Sequence, residues 1–309
     1  MARYIINRAA VSLVALVLLL ILIFFASRVI GDPTLVMLPV DASESARREL
    51  RDALGLNDPI LVQLLEFGRR AVFEAFGDSF RQGRPVMEII LERLPNTGIL
   101  ALAALVISMP TAIVLGSLAA LKPRSLVDRV INVLSLGGVS VVDFWLALML
   151  ILAFAVWLGW LPTGGSGTFA HLILPAVTLS FRTIGRVAQF TRSAMLDEYA
   201  KPYIKTARAK GMSERRVFLH AFKNAAVPLL TLAGDETNSL VNGSLVVETV
   251  FAWPGIGLLV IQAISSRDLV LIEACVFVLA MFVIIINLTV DLAYTYLNPR
   301  IRYDTKASS

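Results

Sequence analysis

The sequence predicts an all-α integral membrane protein. It would have six transmembrane helices, a helical external segment between the first two, and a cytoplasmic helical loop between the fourth and fifth. Three observations carry this. Apolar residues make up 57% of the 309 positions, above the roughly 45–50% of ordinary soluble domains. Several runs approach the ~20 apolar residues that cross a bilayer as a helix. The net charge of +5 is concentrated in a few short polar segments, and short segments rich in Lys and Arg prefer the cytoplasm. That distribution points to a lipid bilayer and not to nucleic acid. The single Cys275 excludes an intrachain disulfide and reads as a buried thiol.

The first span is the uncharged run Ala9–Ala26, preceded by Arg3 and Arg8. A signal peptide is the alternative, but the run is long for one and no small-x-small site follows. Residues 1–30 are therefore read as a retained helix with a cytoplasmic N-terminus. Residues 31–97 form the external segment. Asp41-Ala42-Ser43-Glu44 fits a capping box and Gly55 a helix end. Asp58-Pro59 starts a second helix as N-cap and first residue, running towards Phe76, and Pro85 opens a third.

The core, 98–297, holds five spans. Gly98–Leu121 is uncharged, with Pro110 as a kink, and Lys122, Arg124 and Arg129 return it to the cytoplasm. Val130–Leu161 is longer than one straight span needs; Gly137-Gly138 bends it and Asp143 interrupts it. Leu161–Ala170 is an external turn. His171–Phe190 is the weakest span, because it contains Arg182 and Arg186. Parity requires it, since otherwise the basic stretch Thr191–Ala226 would face outside. Val227–Val247 is the fifth span. Glu248–Asp268 returns outside as a turn and amphipathic segment. Leu269–Leu297 is the sixth span, and 298–309 is a cytoplasmic tail.

The polar stretch Pro202–Pro228 reads as helix, turn, helix. Pro202 suits a first helical turn, Gly211 a left-handed helix end, and Ser213 the next N-cap. Ala207, Ala209 and Gly211 are small. Lys205, Arg208, Lys210, Arg215 and Arg216 surround them with positive charge. Such an element suits docking of a soluble partner; a loop that only fixes topology is the other reading.

Here the residues resemble a known family. Thr206-Ala207-Arg208-Ala209-Lys210-Gly211, then His220, Asn224 and Pro228, resembles the permease loop of binding-protein-dependent ABC importers of the dipeptide/oligopeptide/nickel branch. Supporting stretches are Gly55-Leu56-Asn57-Asp58-Pro59, Arg93-Leu94-Pro95-Asn96-Thr97, Phe144-Trp145 and Glu248–Gly257. Asn287, Asp291, Tyr294 and Pro299-Arg300-Ile301-Arg302 close the pattern. The wider superfamily has Glu-Ala-Ala six residues before its Gly, where this chain has Lys205-Thr206-Ala207.

The resemblance implies a coupling loop, 191–226, between the fourth and fifth spans. Its ATPase-coupling residues would be Tyr203, Lys205, Thr206, Ala207, Arg208, Ala209, Lys210, Gly211, Met212, His220 and Asn224. It implies a second, related permease chain, two ABC ATPase subunits that carry ATP and Mg, and an extracytoplasmic solute-binding protein. This chain itself would hold no cofactor. The location implied is the bacterial or archaeal inner membrane, both termini inside. Di- or oligopeptides are the implied substrates, with nickel chelates, glutathione or opine-like solutes as alternatives.

The fifth span is polar. Asp235, Asn238 and Asn242 share one helical face, with Glu236, Ser239 and Gly243 as a neighbouring stripe. They read either as a translocation-path lining or as interhelical packing. Glu248, Trp253, Pro254, Gly255 and Gly257 read as an external gate or as an interfacial anchor. Asn287 and Asp291 share a face and suit interhelix bonding.

Enzymatic readings find little support. The sequence lacks a G-x-x-x-x-G-K-[ST] phosphate loop and an H-E-x-x-H metal motif. His171 and His220 fall on opposite predicted sides. Gly164-Gly165-Ser166-Gly167 matches a hydrolase string, but no later intramembrane His follows as base. A secondary transporter would need an internal inverted repeat, and no convincing repeat is seen.

Overall fold

The computed structural model describes residues 2–29, 43–53 and 55–297. Their regular elements are helices, beside one isolated bridge between Asp78 and Pro85. In chain order these are α1 (Ala2–Val29), α2 (Glu44–Ala53), α3 (Ile60–Phe73), α4 (Val86–Leu121), α5 (Leu126–Ser140), α6 (Asp143–Leu150), α7 (Phe169–Ala200), α8 (Pro202–Ala209), α9 (Glu214–Val250), α10 (Ile256–Ser266) and α11 (Leu269–Leu297). A wider π-helical stretch, Ile151–Trp157, continues α6.

Four of these helices are long and apolar enough to cross a membrane: α1, α4, α9 and α11. A fifth crossing arises if α5 and the α6 limb count as one bent span. At 1.5 Å per residue, the 32 residues of α7 also have the length. Its composition sets it apart, because Arg182, Arg186 and Arg192 lie within it.

Several local expectations are corrected. The long third segment breaks at Val141–Val142, both extended, and bends by 107° there. Gly137 and Gly138 stay helical; the β-branched valines take the extended conformation that suits them, and Asp143 opens the second limb. The second span is the later part of α4, which starts at Val86 and runs through Pro95 and Pro110. The helix, turn, helix read at Pro202–Pro228 is present as α8, the turn at 210–213 and the start of α9, with α7 reaching Ala200 before it. Its second helix is thus the start of the long α9, which continues through Pro228.

Smaller shifts affect the external helices. Ser43 caps α2, its Oγ accepting from the Ala46 N–H at 3.2 Å; Asp41 and Ala42 lie outside the described residues. Pro59 occupies the cap position of α3, without a side-chain cap bond. That helix ends at Phe73, before Ala75 and Phe76 with φ of 50° and 71°. Gly55 does end α2: the Leu56 N–H reaches the Arg51 carbonyl at 3.0 Å with Gly55 at φ +66°. The side chains of Asp291 and Tyr294, and all of Pro299–Arg302, lie outside the described residues.

The chain divides into two compact units. The first comprises Met1–Thr97 and Pro254–Leu288. Its core gathers Val86 and Ile90 of α4, Ile256 and Leu259 of α10, and Leu271, Ala274 and Cys275 of α11. Rings continue it, with Phe24–Phe67, Phe67–Phe76 and Phe76–Phe277 centroids at 5.7, 6.1 and 5.6 Å. The buried Asp268 caps α11, accepting from the Leu271 N–H at 3.2 Å and from Ser79 Oγ at 2.5 Å.

The second unit comprises Gly98–Trp253 and Thr289–Ser309. Here α7 is the central helix, packed on α5 and α9. Two of its polar residues are held by neighbouring helices. Ser180 donates to the Ala104 carbonyl of α4 at 3.0 Å. Arg192 makes two bonds to the buried Asp128 of α5, at 2.5 and 2.9 Å. Small residues permit the close approach. A Cβ on Gly185 would stand 2.4 Å from the Ser135 carbonyl oxygen, and one on Gly138 2.9 Å from that of Phe181.

Candidate functional site

The most polar junction of the second unit is the turn from α7 through α8 into α9. Lys201 is extended and breaks the helix, and Pro202 restarts it at a position that needs no donor. Ile204 is fully buried. Ala207 and Met212 are half-buried beside it, against Met195, Val217 and Ala221. One side of α8 is therefore core, and its other side carries the exposed Lys205, Thr206, Ala209 and Lys210.

The end of α8 takes the form expected from Gly211. That residue has φ +76°, and its N–H bonds the Arg208 carbonyl at 2.9 Å while the Met212 N–H reaches Ala207 at 3.1 Å. This pair of bonds is the Schellman arrangement, which a side chain at Gly211 would strain. Ser213 sits at the N-cap of α9 but makes no side-chain cap bond. Arg208 is held within the chain by Glu214, at 2.9 and 3.0 Å.

Tyr203 and Asn224 are brought together by a residue that sequence reasoning missed. Glu198, at the end of α7 and 8% exposed, accepts from Tyr203 Oη at 2.6 Å and from Lys201 Nζ at 2.5 Å. Asn224 of α9 donates to the same Tyr203 oxygen at 2.9 Å. One phenol thus ties α7, α8 and α9. Burial, and then the Glu198 carboxylate, push its pKa above the ordinary tyrosine value, so it stays a donor at neutral pH. The acidic pair Asp197-Glu198 just before Pro202 was the available signal. His220 sits apart from this strut, its Nδ1 2.8 Å from the Arg216 carbonyl oxygen.

The polar stripes of α9 separate into two roles. Asp235 and Asn242 are exposed, with Asn238 and Ser239 half-exposed. Glu236 is buried and faces α7, where Arg186 meets it in an ion pair of 3.1 Å. Gly243 also faces α7, a Cβ there lying 3.1 Å from Leu179. The neighbouring stripe is thus partly a packing face.

The stretch from Glu248 to Gly257 is tightly held. Glu248, Trp253, Gly255 and Gly257 are buried. Trp253 packs with Leu100, Leu174 and Phe251 in a buried apolar cluster. Its N–H bonds the Glu248 carbonyl at 2.9 Å, and the intervening Ala252 has φ +48°. Among the described residues no group of three or more His, Cys, Asp or Glu is arranged to hold a metal ion.

Residues 112–303 match the family model described as binding-protein-dependent transport system inner membrane component. Residues 1–101 match the N-terminal model of the same transport systems. The chain belongs to the binding-protein-dependent transport permeases. It is 39% identical over 316 residues to the oligopeptide transport system permease protein AppB of Bacillus subtilis, covering 98% of this chain and all of that one. It is 39% identical over 314 residues to a putative peptide transport system permease protein of Brucella abortus, with the same coverage. It is 36% identical over 305 residues to the glutathione transport system permease protein GsiC of Salmonella typhi, again over 98% and 100%. This permease therefore carries both family regions in one chain, and the α7–α8–α9 junction lies in the second.

The chain is a permease subunit of an ABC importer of the inner membrane. Two family stretches whose role the sequence left open find one in the first unit. Asn96 and Thr97, from Arg93-Leu94-Pro95-Asn96-Thr97, bond the backbone of Pro254 and Ile256, each at 2.9 Å.

Proposed function

We propose that this permease imports di- or oligopeptides, and that α8 is the helix through which partner ATPases drive it. The observation that carries the reading is the two-sided build of α8. Ile204, Ala207 and Met212 root it in the second unit, while Lys205, Thr206, Ala209 and Lys210 are left on an exposed face before the Gly211 turn. A short, rooted, exposed helix transmits displacement to the long helices at both its ends. The peptide assignment is supported by the relatives named for oligopeptide, peptide and glutathione transport; glutathione is itself a short peptide.

In this reading six spans are formed by α1, α4, the bent α5–α6 limb, α7, α9 and α11. Both termini then lie in the cytoplasm of a bacterium or archaeon. α7 crosses with Arg186 paired to Glu236 and Arg192 paired to Asp128, and such pairing is how charges are carried within a span. A second, related permease chain completes the channel, two ABC ATPases bind ATP and Mg, and an extracytoplasmic binding protein delivers the solute. Asp235, Asn238, Ser239 and Asn242 line the path, with Glu236 positioned beside them by Arg186. Glu248, Trp253, Pro254, Gly255 and Gly257 form the external closure. Nucleotide-driven motion of α8 biases the spans between two access states.

The test is Ala209→Glu, which adds charge to the exposed face, beside Gly211→Pro, which distorts the helix end. Inserted, well-expressed variants are expected to lose solute-stimulated uptake while the ATPases still hydrolyse ATP. Normal uptake with both substitutions would overturn the coupling role. Labelling of cysteines placed at 43 and 166 from outside, and of 213 only from inside, checks the orientation.

A further inference from the structure

We infer that α3 lies in the membrane–water interface beside the end of the first span, with its outer face set in lipid. Leu61, Leu65, Gly68 and Val72 follow the 4-3-4 spacing of one helical stripe. That stripe points away from the protein: Leu61, Leu65 and Val72 are 70%, 74% and 64% exposed, and the adjoining Phe73 is 81% exposed. A different face, about a quarter to a third of a turn round the helix, is the one packed on protein. Ala71 is buried there, and Phe67 lies between the rings of Phe24 and Phe76.

A helix on a soluble surface would carry its charges on the outward face. In α3 they sit on one flank. Glu66 and Arg69 pair at 2.7 Å, and Arg69 reaches Glu74 at 2.8 Å. Arg69 holds the Glu66 carboxyl down at about 2, so this flank stays charged at every physiological pH. Protein on one side, an apolar stripe on another and ion pairs at the edge is the arrangement of a helix lying in an interface.

The depth of the helix follows from one contact. Gln63 Oε1 accepts from Arg28 Nε at 3.2 Å and Nη2 at 3.0 Å. Arg28 closes the apolar stretch Ala10–Arg28, and its guanidinium also lies 3.6 Å over the Phe24 ring. The second turn of α3 is therefore pinned where the hydrocarbon ends. Within the same unit, Leu18, Leu22 and Phe25 of α1 are 60%, 64% and 46% exposed, so the span brings its own lipid-facing row up to this level. Lipid is the occupant whose chemistry continues that row. A protein partner over the stripe is the competing occupant.

The test uses the permease reconstituted in vesicles of phosphatidylethanolamine and phosphatidylglycerol. Cys275 is the single cysteine and is fully buried, so new thiols are labelled selectively. Single variants Leu65→Cys, Val72→Cys, Glu66→Cys and Arg69→Cys receive an environment-sensitive fluorophore. Labels at 65 and 72 are expected to be quenched several-fold more by nitroxide lipids than by a water-soluble quencher, with the reverse order at 66 and 69. Strong aqueous quenching at 65 and 72 would place the stripe in water. Protection of both positions from both quenchers would place it under protein. Either result overturns the proposal, and neither depends on whether the permease transports peptides.

Discussion

Asn96 and Pro254 are joined by a 2.9 Å hydrogen bond, the Asn96 Nδ2 donating to the Pro254 carbonyl. One residue on, Thr97 Oγ1 accepts from the buried Ile256 N–H, also at 2.9 Å. Two segments far apart in sequence are thereby set in one register at the start of α10.

The Thr97 bond is expected to be the more important of the two. Thr97→Val keeps the shape but leaves the Ile256 N–H without this acceptor, a loss of about 1–3 kcal/mol for a buried donor. Asn96→Ala should cost less, because Pro254 is only half-buried and water can replace the amide. Thermal unfolding read through exposure of Cys275 to a thiol dye should show a midpoint several degrees lower for Thr97→Val. Equal midpoints for both variants and the wild type would refute this ranking.

The Glu198–Tyr203–Asn224 strut should behave as one unit. Tyr203→Phe removes the oxygen shared by Glu198 and Asn224. We expect ATP turnover to persist while solute carried per ATP falls. Combining Tyr203→Phe with Asn224→Ala should add little to either alone, the signature of residues acting through one network. Fully additive losses would mean that the two act separately.

Gly185 and Gly137 make a paired prediction about packing. A Cβ at Gly185 meets the Ser135 carbonyl oxygen at 2.4 Å, whereas at Gly137 nothing lies within 4 Å. Gly185→Ala should cost about 1–3 kcal/mol by overpacking and lower the yield of folded protein. Gly137→Ala should be tolerated. Size-exclusion profiles in mild detergent, compared with the wild type, distinguish the two outcomes.

Asp235 and Glu236 are adjacent but should respond differently. Asp235 is exposed, and Glu236 is buried against Arg186. Asp235→Asn should leave assembly intact and reduce uptake of cationic peptides more than neutral ones. Glu236→Gln should chiefly lower stability, because it leaves Arg186 without its carboxylate. A selectivity change in the second variant and none in the first would reverse these roles.

Much of the architecture was legible because bilayer physics is written locally. Leu269–Leu297 was read from composition with the bounds that α11 has. Gly211 was legible for a similar reason, since a positive φ at a helix end selects glycine. The bend at Val141–Val142 was not, because the valines carry no turn signal and the adjacent Gly137-Gly138 pair drew attention to itself. Gly138 is better read in the packing of α5 on α7, where it is needed for contact and not for curvature.

By itself the sequence determined that this chain is helical, lies in a membrane, and carries a basic, glycine-ended element between apolar helices. Those properties follow from hydropathy, charge placement and backbone preference over a few neighbouring residues. The tertiary structure alone decided which polar groups meet. It brought Glu198 to Tyr203 and Asn224, turned Glu236 from a stripe with Ser239 towards Arg186, and set Trp253 in a core. Such pairings join residues on different helices. Their partners are chosen by helix packing, which a one-dimensional pattern does not contain, and burial then requires each polar group to be satisfied by whatever that packing brings near.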